Sequence, residues 1–179
     1  MNAVLQNFLT RQFEEGMKLV SETDLLHLLP LPDGPFPPRR YIARFRCKGL
    51  VHNSDHSIVE NDCFDVGVNF FDDYLRAADP YRVLTWLYPT NVWHPNILGQ
   101  ARVICVGRMA PGTPLVDLLY QVFDIITYRK VTMREDDALN RDCCPWARQN
   151  VHRFPIDNRP IKRRPVELSI TLVNGGLQQ

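Results

Sequence analysis

Apolar side chains recur at steps of three and four residues near the N-terminus of this 179-residue chain. They are Val4, Leu5, Phe8, Leu9 and Phe13. Since this spacing puts them on one face of a helix, the pattern predicts an amphipathic helix over residues 4–20. A second apolar run at 25–29 leads into a proline-rich segment, 30–38. Proline stops helices, so this segment is predicted to be an extended connector.

The middle of the chain alternates between apolar and polar residues. The apolar positions are Tyr41, Ala43, Phe45 and Cys47 in one stretch and Phe64, Val66, Val68 and Phe70 in another. A period of two is typical of half-buried strands. Residues 83–88, which are rich in aromatic and branched side chains, predict a third strand. The polar residues 51–61 are predicted to form a turn, and the whole region an antiparallel meander.

A helical period returns after residue 113. Its apolar positions are Leu115, Leu118, Leu119, Val122, Phe123 and Ile126. Thr113 is predicted to be the N-cap of this helix, and Pro114 suits the first helical position. A further short helix is predicted over 139–150, although it contains Pro145. The alternating residues 166–173 predict one more strand, in a C-terminal tail.

Composition excludes several classes of function. A formal net charge of +1 gives no electrostatic case for binding nucleic acid. No run of 18 apolar residues is present, so no membrane association is expected. The five cysteines are an odd number and two of them are adjacent, which makes a poor disulfide framework. Together with an N-terminus that lacks the features of a secretory signal, this predicts a reducing, cytoplasmic location.

No metal or cofactor is expected from the motifs. His52 and His56 are four residues apart in a polar stretch, without a third ligand nearby in the sequence. The adjacent Cys143 and Cys144 do not have the spacing of a zinc site. The chain also has no glycine-rich phosphate-binding loop.

The candidate chemistry lies between residues 80 and 140. Cys105 ends an apolar run, and by itself it fits a buried strand residue, because free cysteines are commonly buried. It follows the motif His94-Pro95-Asn96 by 11 positions, counted from the histidine. Pro80 stands 14 positions before His94, and Asp137 stands 32 positions after Cys105.

These elements resemble the ubiquitin-conjugating enzymes. The family has a turn with proline and an aromatic residue, a His-Pro-Asn motif, an Ile-Cys pair and an Asp-Asp-Pro-Leu-Asn turn, in this order. The chain has Asp79-Pro80-Tyr81, then His94-Pro95-Asn96, then Ile104-Cys105, then Asp136-Asp137-Ala138-Leu139-Asn140. Only the interval from His94 to Cys105 differs from the family spacing, by one residue.

The resemblance implies an α+β fold of the ubiquitin-conjugating type. This fold has an N-terminal helix, a four-stranded antiparallel meander, an active-site flap and then helices. The resemblance covers roughly residues 4–150 and implies a domain over 1–150, and residues 151–179 would be a C-terminal extension that carries the strand-like tail.

The same resemblance implies two acyl transfers at Cys105. Its thiolate would accept a ubiquitin-like protein as a thioester, and a lysine amine of a target would then take it, without a metal or cofactor. Asn96 would donate to the oxyanion or hold the flap, or it would only bond its own turn. Asp137 would orient and deprotonate the lysine, or Asp136 or Asp137 would cap the next helix. His94 and Pro95 would be structural.

The implied partners are proteins. The ubiquitin-like protein would arrive from an activating enzyme that reads the N-terminal helix, including Arg11 and Lys18. Pro80 and Tyr81 would contact a ligase or target protein, with Tyr81 as an exposed anchor, unless Tyr81 faces the core.

The chain also departs from the family pattern. The tryptophan that usually follows the cysteine is missing from 107–113, and Ala138 replaces a proline. Cys143-Cys144-Pro145 breaks the expected last helix. The pattern is similar to divergent prokaryotic members, which occur in bacterial systems associated with antiviral defence. The alternatives are a non-catalytic binding or scaffold protein of the same fold, and a cysteine hydrolase, which would need a partner histidine.

Overall fold

A computed structural model describes residues 3–32 and 34–162. The helices are α1 (Ala3–Ser21), α2 (Pro80–Val83), α3 (Leu115–Ile126) and α4 (Cys143–Gln149), followed by a 3₁₀ turn at Val151–Arg153. The strands are β1 (Leu26–Pro30), β2 (Arg40–Phe45), β3 (Gly49–His52), β4 (Ile58–Asn61), β5 (Phe64–Asn69), β6 (Leu84–Tyr88), β7 (Ile97–Leu98) and β8 (Val103–Ile104).

Four antiparallel strands form the main sheet, in the order β1-β2-β5-β6. The side chains of Phe64, Val66 and Val68 are buried on one face, as their alternation predicts. The predicted N-terminal helix and α+β architecture are therefore confirmed in this general form. The apolar run at 25–29 contributes the edge strand β1.

The prediction that residues 51–61 form a turn was wrong in extent. A two-stranded hairpin, β3–β4, spans residues 49–61, and only its tip is a turn. At the tip, the Asp55 carboxylate accepts a hydrogen bond from the backbone N–H of Ser57. The polar composition reflects exposure of this hairpin, since two of the four β4 residues are exposed. Polarity alone therefore did not distinguish an exposed strand from a turn.

Helices α1 and α3 pack on each other and join through one buried side chain. Gln12, which is fully buried in α1, accepts a hydrogen bond from the backbone N–H of Leu115 at 2.7 Å. The prediction of Thr113 as N-cap was wrong, because Pro114 holds that position and makes no side-chain cap bond. The Thr113 hydroxyl instead donates to the Ala110 carbonyl. Gln12 thus satisfies a donor that the cap leaves free.

Helix α4 lies within the predicted span 139–150. Pro145 is its third residue, and the first-turn N–H groups of a helix have no intrahelical acceptor. The missing N–H of Pro145 therefore costs no helical hydrogen bond, and the proline does not prevent the helix.

The described part of the C-terminal extension packs on the sheet domain. Ile161 is buried in the core, and the buried Asp157 accepts a hydrogen bond from the backbone N–H of Lys48. Hydrogen bonds from Arg159 are the main cause that lowers the pKa of Asp157 to about 2. The domain boundary at residue 150 stays a prediction, and the predicted strand 166–173 lies outside the described residues. No helix within residues 3–32 and 34–162 is long and apolar enough to cross a membrane.

Candidate functional site

The site is built on a short flap, the hairpin formed by β7 and β8. The His94-Pro95-Asn96 motif leads into β7, and Cys105 follows β8 directly. The backbone N–H of Cys105 donates to the carbonyl of Asn96 at 2.8 Å. Since residues 97 and 104 are paired in register, the motif and the half-buried cysteine lie side by side at the base of the flap.

Asn96 holds this flap against the segment that follows α3. Its buried side-chain amide donates to the Cys105 carbonyl at 3.3 Å and to the Thr132 hydroxyl at 3.1 Å. Its Oδ1 accepts from the backbone N–H of Thr132 at 2.8 Å. Because an amide has two N–H hydrogens, both donors are occupied in this arrangement. The contacts reach beyond the asparagine's own turn and correspond to a flap-holding role.

His94 is a buried, neutral ring. Its Nδ1 accepts a hydrogen bond from the backbone N–H of Asn96 at 3.0 Å, so the ring proton is on Nε2. Nε2 is buried and has no hydrogen-bond partner among the described residues. The ring packs edge-on against Tyr128, with centroids 4.3 Å apart. Burial lowers the pKa of His94 to about 3, and a histidine that is neutral and enclosed in this way shapes the loop.

The acidic loop is attached to the same motif through Pro95. The buried Pro95 carbonyl accepts hydrogen bonds from the backbone N–H groups of Leu139 and Asn140, each at 3.0 Å. Asp137 lies in this loop with an exposed side chain, 3.7 Å from the Arg134 guanidinium. The alternative that an aspartate here caps the next helix was wrong, because Asp142 is the residue before α4.

Tyr81 lies on the short helix α2, which packs against β5 and β6. The Asp79 carboxylate caps this helix by accepting from the backbone N–H of Tyr81 at 3.0 Å. Tyr81 is 56% exposed, so the alternative of a core-facing side chain was wrong. Burial is the main cause that raises the pKa of Tyr81, and the nearby Cys105 and Asp79 side chains add to this.

Two further residues at the flap have no counterpart in the sequence prediction. The Lys130 ammonium donates to the Val106 carbonyl, next to Cys105, at 2.5 Å. Thr132 holds Asn96, as described above. Both follow α3 in a stretch without a motif, so the sequence carries no signal for them beyond their polarity.

The other predicted site residues lie apart from the flap. Arg11 and Lys18 are on the exposed face of α1, where Arg11 pairs with Glu15 at 3.8 Å. Helix α1 packs against α3 and β1. Cys143 and Cys144 are buried, and burial raises the pKa of each thiol. In the part of the chain that the structure describes, no three histidine, cysteine or acidic side chains are grouped to hold a metal ion.

The buried His94 makes acid pH destabilising. Its pKa is about 3 in the folded state and about 6.5 when solvated, so between these values the unfolded chain binds the extra proton. The contribution of the neutral His94 to the free energy of unfolding is fully present above pH 6.5. It falls as the pH is lowered, by up to about 1.4 kcal/mol per pH unit. Urea unfolding between pH 6.5 and 4.5 measures this slope, above the range where Asp157 titrates.

The matched control for this prediction is His94→Asn. Its side-chain oxygen keeps an acceptor for the Asn96 N–H but cannot titrate. The variant is expected to be less stable at pH 7 and to show a flatter pH dependence. An unchanged slope in the variant would assign the acid sensitivity to other groups.

Searches for related proteins find no matching protein-family model and no matching curated protein.

Proposed function

We propose that this chain is a ubiquitin-conjugating-like enzyme that carries a ubiquitin-like protein as a thioester on Cys105 and passes it to a lysine amine of a target. One observation supports this most. Cys105 is half-buried at the base of a flap whose other end is the His-Pro-Asn motif, and Asn96 bonds to the main chain of Cys105 on both sides. The flap thus carries a thiol whose own backbone is fixed by hydrogen bonds to Asn96.

The other parts of the site fit the two acyl transfers. The Cys105 thiolate attacks the thioester on the activating enzyme, and the thiolate of that enzyme leaves. The loop with the exposed Asp137 is fixed to the motif through Pro95, so a carboxylate is held in the segment that would meet an incoming lysine. Arg11 and Lys18 remain the proposed contacts of the activating enzyme. The chemistry takes place in a reducing compartment, where the thiol persists.

Intact-mass measurement without reductant tests the proposal. The protein is incubated with ATP, an activating enzyme and a ubiquitin-like protein taken from genes adjacent to its own. We expect an adduct with the mass of the modifier that is removed by added thiol. No adduct, when the activating enzyme itself is charged, would contradict the carrier function and favour the non-catalytic binding protein. Cleavage of existing conjugates would favour the cysteine hydrolase.

A further inference from the structure

We propose that the C-terminal segment 163–179 of this chain docks on the outer edge of β1 and adds residues 166–173 to the main sheet as a further strand. This inference is independent of the proposed function, because it involves neither Cys105 nor a modifier. It assigns one surface, the outer edge of β1 with the adjoining flank of α1, to one occupant from the same chain. The segment itself lies outside the described residues.

The outer edge of β1 carries backbone groups that no described strand pairs. The carbonyl of Leu25 accepts a hydrogen bond from the backbone N–H of Arg46 at 2.8 Å, so position 25 bonds toward β2. Since the bonding direction alternates along an antiparallel strand, Leu26 and Leu28 turn their N–H and C=O groups away from β2. Both residues are buried, and no described residue bonds these groups. Because buried backbone groups are nearly always paired, this edge is expected to take another strand.

The described chain leads to the start of this edge. The Arg159 guanidinium donates to the Arg46 carbonyl at 3.3 Å, and Arg46 is paired with the residue that precedes β1. Ile161 is then buried in the core, and the Lys162 ammonium forms an ion pair with Glu22 at 3.1 Å. Glu22 lies four residues before β1 in the sequence. The segment that follows residue 162 therefore begins at the same end of the sheet as β1.

The sequence of the segment suits this edge in length and in pattern. The apolar positions of the alternating stretch are Val166, Leu168, Ile170 and Leu172. The five residues of β1 extend about 17 Å, and the eight residues 166–173 would extend about 26 Å as a strand. The stretch can therefore follow β1 along its whole length. Pro165 comes just before it, where a proline does not interrupt strand pairing.

A partly exposed apolar flank of α1 adjoins the same edge. Its residues, three or four positions apart, are Phe13, Met17 and Val20. Phe13 lines a groove with Pro30, at the end of β1, and Gly16 lies against the Leu28 side chain. The opposite flank of the helix faces α3, through the hydrogen bond of Gln12. Apolar side chains of an added strand that point to the same face as Leu28 would contact the exposed flank.

A segment of the same chain has an advantage over a strand from another molecule. Its anchor at Lys162 holds it near the edge at an effective concentration on the order of millimolar. Docking also covers an edge strand that could otherwise pair with other chains. The surface therefore fits this segment better than a second copy of the protein or an unrelated partner.

Amide hydrogen exchange in the full chain, resolved by residue, tests the docking. The N–H groups of Leu26 and Leu28 point to the proposed strand, whereas those of His27 and Leu29 bond to β2 and serve as internal references. In the parent protein we expect all four amides to exchange slowly, because each has a partner. Free exchange at Leu26 and Leu28 in the parent would contradict the proposal.

Ile170→Pro is the test variant, because proline has no N–H to donate and is not tolerated within a paired strand. Leu177→Pro, outside the alternating stretch, is the matched control. We expect Ile170→Pro to accelerate exchange at Leu26 and Leu28 about tenfold or more, with the references within about twofold of the parent. Leu177→Pro should leave all four amides unchanged.

Three results with these variants would overturn the proposal. One is equal exchange at Leu26 and Leu28 in the parent and in Ile170→Pro. Another is equal acceleration at the two reference amides, since docking concerns the outward groups alone. The third is protection of Leu26 and Leu28 that rises with protein concentration, which would assign the edge to a second copy of the chain.

Discussion

Replacing Cys105 with alanine is expected to abolish the thiol-sensitive adduct with the ubiquitin-like protein. In the proposed function the sulfur is the atom that accepts the acyl group, and a methyl side chain has no electron pair for this bond. Stability should change by less than about 1 kcal/mol, because Cys105 is only half-buried. Its fully buried neighbours, Ile104 and Val106, keep their core contacts.

Two matched variants sharpen this result. Cys63→Ser removes the other half-buried thiol among the described cysteines and should leave the adduct unchanged. Cys105→Ser should form, more slowly, an oxygen ester that survives treatment with thiol. Persistence of a thiol-sensitive adduct in Cys105→Ala would place the carrier on another cysteine and would contradict the site described above.

Replacing Asn96 with alanine is expected to lower both stability and the rate of transfer. The change leaves the half-buried Thr132 N–H without its acceptor and removes two further hydrogen bonds. We expect the free energy of unfolding to fall by about 2–4 kcal/mol, measured by urea denaturation. Without Asn96 the flap is no longer bonded to Thr132, and Cys105 is expected to be misplaced. Transfer of the modifier from Cys105 to lysine should then slow about a hundredfold.

Thr132→Val separates the two roles considered for Asn96. Valine removes the hydroxyl that accepts from Asn96 but keeps the backbone N–H, and it does not touch the reacting atoms. If Asn96 acts by holding the flap, this variant should slow transfer about fivefold, as for one hydrogen bond of about 1 kcal/mol. If Thr132→Val transfers the modifier as fast as the parent while Asn96→Ala transfers it much more slowly, direct donation by Asn96 to the oxyanion would be supported instead.

The proposed mechanism therefore divides the site into parts that hold and parts that react. Asn96, Thr132 and Lys130 fix the backbone around Cys105, and His94 shapes the loop below it. Cys105 carries the sulfur that would accept the acyl group. Asp137 is exposed and paired with Arg134, so an approaching lysine would compete with that arginine for the carboxylate.

The non-catalytic alternative predicts a different set of results. A binding or scaffold protein would keep its partner contacts in Cys105→Ala and would form no thiol-sensitive adduct in the parent. The exposed ring of Tyr81 would then serve as an anchor for a partner.

The local pattern of the sequence determined the main elements of the fold. Periods of three to four residues gave α1 and α3, and the alternation of Phe64, Val66 and Val68 gave a strand with one buried face. These predictions hold because burial of one face imposes its period directly on neighbouring residues. The order and spacing of the motif around Asn96 and Cys105 also placed the candidate site.

Tertiary structure alone decided which groups contact one another at the site. Gln12 bonds a backbone group 103 residues away, and Asn96 bonds Thr132 across 36 residues. The hydrogen bond from Lys130 to the Val106 carbonyl is of the same kind. No local period encodes such pairs, because each depends on how separate elements pack and on which buried polar groups then need a partner. The sequence thus determined the elements and singled out Cys105 as the candidate nucleophile, and packing determined what surrounds it.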